Sequence, residues 1–80
     1  MDKTIAVNVD DICYKAVEYM EMCIENLHKG DERHAFFCFG YAMGLDALLE
    51  DFEIYLYLES QKYQELVDEW SEYCANQKEE

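Results

Sequence analysis

The chain has no proline, only three glycines (Gly30, Gly40 and Gly44), few β-branched residues, and six basic side chains against 19 acidic ones. Without proline, and with so little glycine, the punctuation that separates strands and hairpins is missing, and helix is the expected state. The shortage of cations leaves a formal charge of −13, with Lys3, Lys15, Lys29, Arg33, Lys62 and Lys78 scattered along the chain. Such a surface repels phosphate backbones and anionic headgroups, so neither nucleic acid nor membrane is an expected partner. Long apolar runs are missing too: the longest uncharged stretch, Ala35 to Leu45, falls short of the roughly 18 to 20 residues that span a bilayer.

The four cysteines, at positions 13, 23, 38 and 74, contain no C-x-x-C and match no zinc or haem spacing. Met1 to Asp11 lacks the apolar run of a signal peptide, so reduced thiols in a cytoplasm are expected. What the chain does have is apolar mass: seven tyrosines, four phenylalanines and one tryptophan, with hydrophobic residues making up 51% of the whole. That is too much for a disordered chain, and 80 residues leave room for one core, so residues 1–80 are expected to form a single helical-bundle domain.

Met1 to Val9 reads as a frayed lead-in, although Ile5, Val7 and Val9 alternate and could dock on a partner. Asp10 or Asp11 offers an N-cap for a first helix near Asp11 to Lys29, in which Cys13, Ala16, Met20, Cys23 and Leu27 share one face. Gly30 is a natural left-handed stop, and Asp31 caps the next helix at once, so these two helices run antiparallel. Helix 2, near Glu32 to Leu58, carries a bundle seam of Cys38, Ala42, Leu45, Leu49, Phe52 and Leu56. The same phase continues through Tyr63, Leu66, Trp70 and Tyr73. Ser60 can cap a third helix near Gln61 to Gln77, which gives an all-α antiparallel bundle of three helices; the alternative is a hairpin whose second helix runs on unbroken.

Chemistry-bearing patterns are sparse. Glu25 and His28 form an E-x-x-H on one helix face, as in di-iron bundles, but those sites need two such motifs and further carboxylates, so a solvated pair is the favoured reading over a metal site. Cys38 lies one turn from His34, yet it sits on the seam, where thiols pack as inert hydrophobes. The row Asp46, Glu50 and Glu53 could meet a hard cation and more simply forms a solvated face. Ser60 and Ser71 lie in no nucleophile elbow. No cofactor is expected.

Lys29 to Ala47 resembles the mainly archaeal family called domain of unknown function 357, short helical proteins with a K-G-D hairpin turn. The matching residues are Lys29, Gly30, Asp31, Ala35, Tyr41, Ala42, Gly44, Leu45, Asp46 and Ala47. In the family a further residue usually separates the glycine from Leu-Asp, whereas here Leu45 and Asp46 follow Gly44 directly. The resemblance implies a helical bundle and no established activity.

One helix of a three-helix bundle buries only part of its circumference, so Phe36, Phe37, Phe39, Tyr41 and Met43 cannot all face one small core. The expectation is a non-enzymatic interaction module, a homodimer paired through the first half of helix 2. Two alternatives stand beside it. One is an enzyme, dependent on a metal or small ligand, whose site forms between two chains from Glu25, His28 and helix 2 carboxylates. The other is an acidic partner for a basic protein.

Overall fold

The computed structural model describes residues 8–77, and among them there are helices and no strand. In chain order these are α1 (Val9–His28), α2 (Glu32–Glu50), the single turn α3 (Leu56–Glu59) and α4 (Gln61–Gln77). Of the expected lead-in, Ile5 and Val7 lie outside the described residues, and Val9 opens α1. Asn8, rather than Asp10 or Asp11, takes the N-cap: its side-chain oxygen accepts from the Asp10 N–H at 2.9 Å. The two aspartates fall in the first turn, where free N–H groups favour negative charge.

The α1–α2 turn forms as the Gly-Asp pair dictates. Gly30 adopts a left-handed φ of 80°, and its N–H donates to the Leu27 carbonyl at 3.0 Å while the Asp31 N–H donates to that of Asn26 at 2.9 Å, the paired bonds of a Schellman stop. The Asp31 carboxylate then accepts from the His34 N–H at 3.2 Å and starts α2. Ala16, Ala35 and Ala42 are completely buried, and their small size lets α1 and α2 pack closely around Met20 and Cys23.

The end of α2 corrects the expected helix. It stops at Glu50 rather than near Leu58, and Glu53 takes a left-handed φ of 61°. The hydrogen bonds repeat the first stop: the Glu53 N–H donates to Glu50 O at 2.9 Å and the Ile54 N–H to Leu49 O at 3.0 Å. Burial is the reason for the bend. Leu49 and Leu56 are both fully buried, whereas a straight helix would carry Leu56 about 10 Å further along the axis, past the end of α1. After α3 the chain is extended at Ser60, whose hydroxyl accepts from the Tyr63 N–H at 3.2 Å, so the expected cap does begin the last helix. The continuous second helix is ruled out.

Rising positions on α4 meet falling positions on α2: Tyr63 reaches Asp46, Trp70 reaches Phe39 and Tyr73 reaches Glu32. Helix α4 therefore runs antiparallel to α2, and its backbone lies nearer α1. Leu56, Tyr63, Leu66 and Trp70 join the α1–α2 core, continuing the seam across the break. Phe52, which the seam pattern also included, is exposed instead, because it falls in the turn after α2 has ended.

Candidate functional site

Around α2, at about 100° per residue, Ala35, Cys38, Ala42 and Leu49 cluster on one side and are buried. The opposite side is unusual for a helix facing water. Gly40 and Gly44 lie about 160° from Ala42, with Arg33 and Asp51 above and below them on the same strip. Phe36 stands on one flank, while Phe37, Tyr41 and Leu48 stand on the other. Phe36, Phe37 and Tyr41 are 53%, 62% and 49% exposed. From His34 to Leu45 there is no acidic residue, although the chain as a whole carries −13. With Gly40, Gly44 and Leu45 the rings line an apolar groove of about 500 Å³.

Neighbouring helices hold these rings in place. Tyr19 on α1 stacks on Tyr41 with centroids 5.0 Å apart, and Phe37 meets the edge of Tyr41 at 4.9 Å. On the other flank Trp70, only 6% exposed, stacks on Phe39 at 4.5 Å and meets Phe36 edge-on at 5.0 Å. Of the five residues expected to form an interface, Phe39 and Met43 pack against the core within the chain, and Phe36, Phe37 and Tyr41 remain outside. Leu48 extends the exposed strip, and its spacing from Phe37 and Tyr41 was the signal for it. The signal for Gly40 and Gly44 was their four-residue spacing, which sets them one turn apart on one helix face.

Glu25 and His28 are exposed and directed to different partners: Glu25 to Lys29 at 3.2 Å, His28 to Glu69 of α4 at 3.3 Å. Among the described residues no three His, Cys, Asp or Glu side chains are grouped so as to hold a metal ion. His34 turns back to the carboxylate of Asp31 through Nδ1, and this bond, with the backbone bond from His34, holds the Asp31 carboxyl below its usual range. Cys38 is buried, and burial raises its thiol pKa; Cys23, buried beside Cys38 and Cys74, is pushed up to about 12. Such thiols are poor nucleophiles.

The acidic row is not a row in space. Asp46 is half-buried and accepts from the Tyr63 hydroxyl at 3.2 Å, Glu50 is exposed, and Glu53 belongs to the turn. The second carboxylate oxygen of Asp46 is buried with no hydrogen-bond donor among the described residues. Burial, then the charge of Asp46, raises the Tyr63 pKa. Among the described residues no helix is long and apolar enough to cross a membrane. Comparison with protein-family models, curated proteins and solved structures finds no match to this chain.

Proposed function

We propose that this chain is a non-enzymatic assembly module that pairs with a second copy of itself through the outward face of α2. The supporting observation is the exposure of Phe36, Phe37 and Tyr41 on the stretch of α2 from His34 to Leu45, which has no acidic residue, on a protein whose overall charge is strongly negative. Two copies, each carrying −13, repel one another wherever carboxylates face carboxylates, and this strip is where they approach at least cost. Phe36, Phe37, Tyr41, Leu48 and Phe52 are exposed. At about 100 Å² each they offer roughly 500 Å² per copy, so a symmetric pair reaches the roughly 1,000 Å² from which specific interfaces begin. The hairpin through which the chain resembles the domain of unknown function 357 family sets α2 in place and suggests no activity of its own.

Light scattering behind size exclusion, over a dilution series and at two salt concentrations, tests the proposal. The expected result is a dimer mass that persists at the higher salt, and a monomer mass for Phe37→Glu with the helical circular dichroism retained. A monomer at every concentration, or a Phe37→Glu variant of unchanged mass, overturns it.

A further inference from the structure

Gly40 and Gly44 sit in the interior of α2, where each costs about 1 kcal/mol of helix stability relative to alanine. The fold itself makes no use of them. A Cβ built at either position meets nothing within 4 Å, and neither has a positive φ. Two glycines one turn apart, at the centre of an exposed strip walled by aromatic rings, remove the side chains that would hold a second helix away, because interaxial distance is set by the side chains at the contact.

The strip also reads nearly the same from either end. About a centre at Ala42, Gly40 mirrors Gly44, Phe36 mirrors Leu48, Phe37 mirrors Ala47 and Arg33 mirrors Asp51. Asp51 continues the helical backbone of α2, with φ −61° and ψ −22°, so the strip is regular over its whole length. Neither Arg33 nor Asp51 has an ion-pair partner within the chain among the described residues.

Resting on the self-pairing proposed above, we infer that the two α2 helices cross antiparallel about a two-fold axis at the Gly40–Gly44 window, with Arg33 of each copy facing Asp51 of the other. Charge selects this direction. A parallel two-fold sets Arg33 against Arg33 and Asp51 against Asp51, and it aligns the helix dipoles, whereas the antiparallel one forms two opposite-charge pairs and opposes the dipoles. The rings enter the same register: Phe37 of one copy lies over Leu48 of the other and Phe36 over Ala47, flank against like flank, while the glycines supply the close approach.

Charge reversal reads the direction. Dissociation constants are measured by sedimentation or light scattering for the unaltered chain, Arg33→Glu, Asp51→Arg and the double variant. In the antiparallel pair each single reversal creates two like-charge contacts and weakens association about tenfold or more, and the double variant restores it to within about threefold. Singles without effect, or a double variant no tighter than the singles, overturn the antiparallel register. Gly40→Leu reads the window. Its Cβ meets nothing within 4 Å in its own chain, and it is expected to raise the melting temperature of the dilute monomer while weakening pairing at least tenfold; undiminished pairing overturns the close approach. Phe37→Glu keeps the two levels apart. If it yields monomers while the charge reversals do not compensate, this arrangement fails and self-pairing stands. If it leaves the mass unchanged, self-pairing through this face fails as well.

Discussion

Glu53→Gly is expected to stabilise the protein, and its size can be worked from the turn. Glu53 holds a φ of 61°, a conformation that costs a residue with a Cβ about 1 to 2 kcal/mol. Glycine removes that cost but brings additional freedom to the unfolded chain, worth about 0.5 to 1 kcal/mol. The backbone gain is therefore about 0.5 to 1 kcal/mol. A second contribution comes from charge: Glu50, Asp51 and Glu53 crowd the negative end of α2, which has no basic residue in its last turn, so removing one carboxylate adds a few tenths of a kcal/mol. Glu53→Ala separates the two, since it removes the charge and keeps the Cβ. Urea denaturation followed by circular dichroism, at one fixed low protein concentration so that association does not enter, should rank glycine above alanine by about 0.5 to 1 kcal/mol. In a chain of this size that corresponds to roughly 2 to 8 °C in melting temperature. A glycine variant no more stable than the alanine variant refutes the reasoning.

Trp70→Ala removes the ring that covers Phe39 and the edge of Phe36, and a loss of about 3 to 5 kcal/mol is expected. That is a large part of the roughly 4 to 12 kcal/mol available to a domain of this size; a thermal melt showing a loss below about 1 kcal/mol would refute it. Tyr63→Phe acts through pH. The pKa of Tyr63 is raised by burial and by Asp46, so its contribution is complete below the ordinary tyrosine range near pH 10 and is lost as pH rises above it. Urea midpoints measured from about pH 8 to 11 should fall less steeply for Tyr63→Phe than for the unaltered chain, and equal slopes would count against the assignment.

Much of the architecture could be read from short-range chemistry. Gly30 and Asp31 are stop and cap in sequence and in structure, and Ser60 caps the last helix as its side chain suggested. The turn at Asp51 to Tyr55 could not be read in the same way. Its left-handed position is held by a glutamate, and Leu56, Tyr63, Leu66 and Trp70 keep the helical phase of α2, so periodicity runs across the break without a signal. Three neighbouring residues, Asn8, Asp10 and Asp11, can all cap α1, and only backbone geometry separates them. The aromatic crowding of α2 was plain in composition. Which rings stay outside depends on where Trp70 lands, and that is set by the bend nearly twenty residues earlier.

The uneven spacing of the three long helices has a consequence for motion. Helices α1 and α2 meet through alanines at close range, whereas α4 reaches α2 through a stacked ring pair and two tyrosine hydroxyls on carboxylates. Contacts made at the ends of long side chains are lost together once the backbone shifts by a few ångströms, while the alanine seam is lost only when the hairpin itself unfolds. Because α4 also approaches α1 over a smaller extent than α2 does, the hairpin is expected to set the global opening energy and α4 to open below it, with amide hydrogens of α4 expected to exchange with solvent ahead of those flanking Ala16 and Ala42.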